Sequence, residues 1–329
     1  MLWMIVLVLL GLLGAHASSA DPLDPLDFAS GGAFPPGTTT IDSDGLTVDG
    51  APWPNASVMA QLGGPELAVF PFDGGASGTS TINFEGTRSV VLLFRGPTSI
   101  AGTWAVRAGA GTGRGRGEAS PFGGGGGGFG GVGGAGSTGA GGASYGDLLS
   151  LLEAGSDGGD SDGLGAGIGG GAIEIGTIGL LDVSGLSIAA DGSGGTVVAL
   201  DGTGGGSGGA VFLHGFDVRM NESTQIRVRG GDGGDALSQP FGLDQGGGGG
   251  GGGRIAVLFN THGMFTQGGA QLAASGGAGG AADPSVPSEP GSGGDVAIAD
   301  APAIGVPEPS ASLLGIGALA SLAWRAAKR

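Results

Sequence analysis

Short apolar clusters alternate with runs of glycine between residues 165 and 280, and this alternation limits the folds open to the chain. One strand-like cluster follows a glycine run at Ala172, Ala210 and Arg254, with spacings of 38 and 44 residues. A second cluster recurs at Ile188, Val228 and Leu272, with spacings of 40 and 44. A period of about 40 residues predicts stacked supersecondary units, because no single unit of this size can bury its apolar face alone.

Each unit is predicted to contribute two short strands joined by glycine-rich corners, since glycine allows positive φ and close backbone approach. Residues 21–108 carry further short strand patterns at close spacing, separated by Gly, Pro, Asp and Asn. We therefore predict an all-β fold with glycine-rich repeats of a parallel β-helix or β-solenoid type, and keep a β-sandwich as the alternative. A signal helix at the N-terminus and an apolar helix at the C-terminus are expected outside this body.

Composition excludes several classes of protein. Glycine accounts for 83 of 329 residues, yet no strict G-X-Y period is present, which excludes collagen. The formal net charge of −17 disfavours nucleic-acid binding and favours divalent cations as partners. The chain has no cysteine, so disulfides, thiol nucleophiles and cysteine zinc sites are excluded.

Residues 1–20 have the pattern of a secretory signal peptide. An apolar run from Leu2 to Leu13 is followed by small residues, among which Ala17 and Ala20 are the candidate positions for signal cleavage. No Lys or Arg precedes the run, which departs from the usual pattern. An uncleaved membrane anchor is the competing interpretation.

Residues 306–329 combine three short elements in a fixed order. An extended motif comes first, then an uncharged run from Ala311 to Trp324, then a basic end that favours the cytoplasmic side of a membrane. The run is shorter than the roughly 20 residues that cross a bilayer, so a helix ending a domain is the alternative. The motif and the basic end consist of Val306, Pro307, Glu308 and Pro309, and of Arg325, Lys328 and Arg329.

This tail resembles the PEP-CTERM sorting signal of Gram-negative bacteria. The resemblance covers residues 306–329 and implies an exosortase-like membrane sorting enzyme as a partner. It also implies transient inner-membrane insertion through the C-terminal helix, followed by delivery to the cell surface or the extracellular space. The repeats look like those of glycine-rich bacterial surface proteins.

Changes in composition divide the chain into six segments. They are a signal peptide (1–20), a short-strand β region (21–108), a glycine-rich low-complexity linker (109–164), the β repeats (165–280), a Pro/Ser/Asp spacer (281–305) and the sorting signal (306–329).

Two acidic loops are the candidate metal sites. Residues 230–238 match a calcium-binding nonapeptide and include Asp232 and Asp235, but such sites lie between tandem copies and only one is present. Asp157, Asp160 and Asp162 form a second loop whose oxygens suit Ca²⁺. Solvated turns are the alternative for both loops. No resident cofactor is predicted, and weakly held Ca²⁺ is the one ion left open.

Catalytic residues are not predicted. Outside the signal peptide the only histidines are His214 and His262, which occupy different repeat positions and are interpreted as solvated loop residues. No glycine run leads into the G-K-[ST] sequence of a phosphate-binding loop.

The sequence thus predicts an exported, exosortase-processed structural or interaction protein of the bacterial cell surface or biofilm matrix, not an enzyme. An exopolysaccharide is a candidate partner. The alternative is a polysaccharide-active β-helix enzyme or a carbohydrate-binding module, whose carboxylates would have to converge from different coils.

Overall fold

The structure is a computed structural model that describes residues 22–147, 151–161, 165–198, 201–236, 245–282 and 287–301. The all-β prediction is confirmed over these ranges, where the one helical element is a single 3₁₀ turn, Pro25–Asp27. In the same ranges no helix has the length and apolar character needed to span a bilayer. The expected terminal helices, within 1–20 and 306–329, lie outside the described residues.

Twenty strands are present in the described ranges. In chain order they are β1 (Gly37–Asp42), β2 (Thr47–Val48), β3 (Ala51–Pro52), β4 (Ser57–Met59), β5 (Leu67–Phe72), β6 (Ser77–Glu85), β7 (Ser89–Phe94), β8 (Thr98–Val106), β9 (Ala172–Thr177), β10 (Leu180–Asp182), β11 (Leu186–Ala189), β12 (Val197–Val198), β13 (Asp201–Gly202), β14 (Ala210–Gly215), β15 (Asp217–Arg219), β16 (Gln225–Arg227), β17 (Arg254–Asn260), β18 (Phe265–Thr266), β19 (Gln271–Ala273) and β20 (Asp295–Ala301).

Two large sheets contain all but two of these strands. Sheet A has eleven strands, of which eight are ordered β18-β15-β10-β8-β6-β1-β2-β3. The other three, β11, β16 and β19, form a second branch that starts from β8. Sheet B has seven, ordered β20-β17-β14-β9-β7-β5-β4. From β5 onward the chain visits sheets B and A in turn and pairs parallel with the preceding visit. The antiparallel β2, β3 and β4 lie at the opposite end of the molecule from β20.

The register of sheet B agrees with the sequence repeat. Ala210 pairs with both Ala172 and Arg254, the three residues that the repeat aligned. In sheet A, Ile226 takes the place expected for Val228, between Ile188 and Leu272. That alignment was therefore wrong by two residues, because Ile226 and Val228 are alternate residues with the same buried, apolar character.

The main core lies between the two sheets. Side chains from sheet B, such as Phe70 and Leu92, face side chains from sheet A such as Ile82 and Trp104, and all four are fully buried. The other face of sheet B forms a second core, in which Phe129 and Leu152 take part. Because both faces are covered, β5, β7, β9 and β14 are buried along their whole length. For that reason β5 and β7 appear in the sequence as nearly continuous apolar runs, whereas β9 and β14 also carry Glu174 and His214.

The glycine-rich stretches between the strands form a third layer, here called the glycine body. It comprises the described residues of 107–171, 190–209, 228–253 and 274–294. Within 247–253, successive backbone N–H groups donate to three different neighbouring segments in turn. The N–H groups of every third residue therefore bond to the same segment. This is the pattern of an extended, polyproline II-like conformation, which repeats every three residues. The donor–acceptor pairs are Gly247–Gly234, Gly250–Gly231 and Gly253–Val228, then Gly248–Gly124 and Gly251–Gly127, then Gly249–Glu289 and Gly252–Ser292, all at 2.7–2.9 Å.

Close approach between these segments explains why the runs are glycine. A Cβ placed on Gly250 would overlap the carbonyl oxygen of Gly206, and one on Gly253 would overlap that of Gly209. Residues 246–253 are all buried. The segment 109–164, interpreted above as a linker, belongs to this layer as far as it is described. Its backbone groups bond to segments far along the chain, for example Gly127 N–H to the Gly205 carbonyl.

The predicted spacer also needs correction. Residues Asp295–Ala301 form β20, which pairs parallel with β17 along its whole length. The stretch follows a segment rich in Pro, Ser and Asp, and with that segment it was predicted to form the spacer. Pairing with β17, rather than local pattern, decides its conformation.

Candidate functional site

The outer face of sheet A carries a row of polar side chains that continues across six strands. Its members are in register on neighbouring parallel strands, and each points away from the core. None of them makes a side-chain hydrogen bond to another residue in the described ranges. This hydroxyl–amide row consists of Thr38, Thr81, Thr103, Ser187, Gln225 and Gln271. With neighbouring strands about 4.8 Å apart, its six side chains extend over about 24 Å.

Strand alternation creates this row. In β6, residues Ser77–Glu85 alternate between exposure and burial from Thr79 onward, so Thr81 faces solvent while Ile82 enters the core. Beneath the row, Trp104 is fully buried and donates from Nε1 to Ser80 Oγ at 3.1 Å. The polar face therefore rests on a close-packed layer, which fixes the backbone of the residues that carry the hydroxyl groups.

A second row runs beside the first, two residues further along each strand. It is formed by Thr40, Asn83, Ala105, Ala189, Arg227 and Ala273. The small side chains of Ala105 and Ala189 leave a low region at its centre. This alanine row borders the groove described next.

A groove of about 510 Å³ opens where β8 and β11 end. It exists because the chain leaves β8 for the glycine body and returns only at Gly171, whose N–H donates to the Val106 carbonyl. Arg107, Asp191, Ser193 and Ile168 are among its lining residues.

The charged groups of the groove are arranged asymmetrically. The Asp191 carboxylate lies 3.4 Å from Arg227 Nε and accepts the Arg229 N–H at 2.8 Å. Arg107 is exposed, and its guanidinium makes no ion pair or hydrogen bond within the described part of the chain. Arg107 is thus an available donor at the edge of an open groove.

Charge on this face is nearly balanced, in contrast to the chain as a whole. The strands of sheet A and their continuations into the groove carry four Arg and five Asp or Glu on the outer side, whereas the full chain has 12 Lys and Arg against 29 Asp and Glu. The face residues are Arg107, Arg219, Arg227 and Arg229, and Asp42, Glu85, Asp182, Asp191 and Asp217.

A buried ionisable pair lies on the opposite side, in the second core over sheet B. Glu174 Oε1 is 3.0 Å from His214 Nε2, and both side chains are almost fully buried. The same oxygen accepts the Leu23 N–H at 3.1 Å. His214 is therefore not the solvated loop residue that the sequence suggested, whereas His262 is exposed in a turn. The pair thus attaches the segment around Leu23 to sheet B.

A second polar cluster centres on Tyr145. Its hydroxyl donates to the Ala154 carbonyl at 2.7 Å and accepts from Ser156 Oγ at 2.9 Å. Burial raises the pKa of Tyr145 to about 12, so the phenol stays protonated at neutral pH. Nearby, Arg114 pairs with the buried Glu153 at 3.0 Å beside a cavity of about 140 Å³. These contacts hold Tyr145 against the segment from Glu153 to Ser156.

The candidate calcium ligands have protein partners in the structure. Asp232 Oδ1 accepts the Ala278 N–H and Asp235 Oδ1 accepts the Ala281 N–H, both at 2.7 Å. Asp160 pairs with Arg116 at 2.7 Å. Asp157 accepts the Gly169 N–H at 3.0 Å, and burial raises its pKa despite that hydrogen bond.

Asp162 lies outside the described residues. Among those described, no group of three or more His, Asp or Glu side chains is arranged to hold a metal ion. The Ca²⁺ hypothesis stays a prediction.

The sorting-motif residues Val306, Pro307, Glu308 and Pro309, the basic residues Arg325, Lys328 and Arg329, and the signal-cleavage positions Ala17 and Ala20 also lie outside the described ranges. No protein-family model, curated protein or solved structure matches this chain.

The hydroxyl–amide row and the Glu174–His214 pair were not predicted from the sequence. The alternation in β6 was a signal for the row, since Thr81 and Asn83 alternate there with Ile82 and Phe84. No local signal marked the pair, because its members are 40 residues apart and meet only through strand pairing.

Proposed function

We propose that the alternating strands form a β-solenoid, with the glycine body as a third side. From β8 onward the chain visits the glycine body, sheet B and sheet A in a regular order, which supports this architecture. So does the parallel pairing of each visit with the one before it. A scaffold of this kind presents an extended, rigid face built from successive coils.

We further propose that the protein is exported, trimmed by an exosortase-like enzyme, and acts as a structural or interaction protein at the bacterial surface or in the extracellular matrix. The tail from Val306 to Arg329 supports the processing step. The observation that carries the interaction role is the hydroxyl–amide row: six polar side chains on a packed sheet, all exposed except the half-buried Ser187, and all unpartnered in the described ranges.

Changing the two prolines of the tail motif tests the processing step. In the native host, the Pro307→Ala/Pro309→Ala chain should keep its C-terminal residues and stay with the inner membrane, because its motif is no longer held extended. Intact-mass measurement after cell fractionation reads out both properties. The matched control is Pro287→Ala/Pro290→Ala, which removes two exposed prolines upstream of the motif. Normal trimming and delivery of the motif variant would contradict the proposal.

A polysaccharide-cleaving enzyme is the second candidate, and the groove of about 510 Å³ is the observation that favours it. Incubation of the purified chain with a panel of polysaccharides distinguishes the two functions. Sustained release of reducing ends or unsaturated sugars would establish the enzyme in place of the interaction protein.

A further inference from the structure

We propose that the outer face of sheet A, together with the groove where β8 and β11 end, binds an uncharged polysaccharide that lies across the strands. This inference rests on the proposed interaction role and names its partner class. It depends on three features of the described structure: the repeat of the polar row, the charge balance of the face, and the free guanidinium beside the groove.

The repeat of the row suits a polymer better than a single small molecule. Equivalent side chains recur at the strand spacing of about 4.8 Å, so donors and acceptors are presented at regular intervals along one direction. Thr and Ser hydroxyls can donate and accept, and Gln225 and Gln271 present both an amide donor and a carbonyl acceptor. A polysaccharide presents hydroxyl groups of the same dual character at regular intervals.

The row is also prepared for binding. Thr38, Thr81 and Thr103 are β-branched and therefore have few χ1 rotamers to lose on binding. Their strands are held by backbone pairing over a buried core. Little conformational entropy is lost when a ligand orders such a face, which favours weak polar contacts acting together.

Charge indicates a neutral polymer. An anionic polysaccharide would be repelled by a chain of net charge −17, and a cationic one would bind to acidic surface in general. The outer face of sheet A departs from that excess, since its four guanidinium groups nearly balance its five carboxylates. A neutral polymer is not repelled by the charge of the chain, and it can form hydrogen bonds with the uncharged donors and acceptors of the row.

The groove gives the face a point of closer contact. Arg107 presents donors that no described residue uses, and Ile168 offers an exposed apolar surface on the groove wall. A sugar unit or branch seated over Ala105 and Ala189 would lie beside this guanidinium. Concave sites with a few convergent polar groups are the usual places for such ligands.

Co-sedimentation of the full-length chain with insoluble polysaccharides tests the inference. Cellulose, curdlan and chitin serve as uncharged polymers, and cross-linked alginate as an anionic one. We expect retention on at least one uncharged polymer and not on alginate. Thr81→Val/Thr103→Val should weaken that binding about fivefold or more, since each lost hydrogen bond contributes about 0.5–1.5 kcal/mol and about 1.4 kcal/mol is a factor of ten. Arg107→Gln should weaken it further.

Two control variants isolate the face. Thr261→Val alters an exposed threonine in the turn after β17, and Arg116→Gln removes an arginine of the glycine body; both should bind as the wild type does. Unchanged thermal melting shows that each variant is folded. Failure to bind any uncharged polymer, binding that the Thr81/Thr103 variant leaves intact, or binding to alginate alone would each overturn the inference. Because the assay uses purified protein, these outcomes are independent of processing, which the proline variants test separately.

Discussion

The packing of the glycine body predicts a large and position-specific penalty for adding a single methyl group. Gly250 is buried, donates its N–H to the Gly231 carbonyl, and accepts from the Gly277 N–H. A Cβ at this position would overlap the Gly206 carbonyl, which is backbone and can move only with its segment. Overpacking costs about 1–3 kcal/mol, and weakening two hydrogen bonds adds about 1 kcal/mol each. We therefore expect Gly250→Ala to lower the free energy of unfolding by about 3–5 kcal/mol.

Gly293→Ala is the matched control in the same layer. Gly293 is exposed, its φ does not need a glycine, and the nearest atom to an added Cβ is the Ala274 carbonyl oxygen at 3.7 Å. This change should leave the free energy of unfolding unchanged or raise it by about 0.4–1 kcal/mol, because alanine lowers the conformational entropy of the unfolded chain. Urea unfolding followed by tryptophan fluorescence, to which the buried Trp104 contributes, measures both variants. Equal stabilities for the two would refute the close packing of the glycine segments.

Polar groups that are buried or partly buried give three further predictions. Tyr145 is the only tyrosine, so tyrosinate absorbance reports its ionisation alone. Because burial raises its pKa from 10.0 to about 12, its contribution to the free energy of unfolding should be complete below pH 10 and lost as pH rises through about 12. The expected change is about 2–3 kcal/mol. Tyr145→Phe should remove that alkaline step. Glu174→Ala should lower the free energy of unfolding by about 2–4 kcal/mol, because His214 and the Leu23 N–H lose a buried acceptor. The change should also speed proteolysis near Leu23. Glu174→Gln is the milder control. Asp157→Asn should raise the melting temperature at pH 7, because burial raises the pKa of Asp157 and its charged form costs stability; the gain should vanish below the unfolded pKa of 3.8. A stabilising Glu174→Ala change, or an Asp157→Asn gain that persists at low pH, would contradict these assignments.

Much of the strand content was predictable because its signals are local. The apolar runs of β7 and β14 mark strands that are buried on both faces, and glycine on either side of β14 marks its ends. The alignment of Ala172, Ala210 and Arg254 fixed the register of sheet B from β9 through β14 to β17. In sheet A the predicted alignment was wrong by one inward-facing position, because Ile226 and Val228 are both buried and apolar.

The candidate site was predictable only in part. Each strand of sheet A shows which residues face outward, but only pairing shows that Thr81, Thr103 and Ser187 form one row. The groove depends on where the chain leaves sheet A after β8 and on the later contact of Gly171 with Val106 at the end of that strand, which no local pattern records. The acidic loops were visible in sequence, but the backbone partners of Asp232 and Asp235 were not.

By itself, the sequence determined that this chain forms short strands separated by glycine, in a regular repeat, between ends that resemble export and sorting signals. Apolar periodicity and glycine placement are local properties, so they can be read without a structure. Tertiary structure alone decided which glycine segments lie together, why 109–147 is packed, and how β20 joins sheet B. The physical reason is that a glycine run has no side chains to encode its neighbours. Its hydrogen-bond partners are set by where the flanking strands hold its ends.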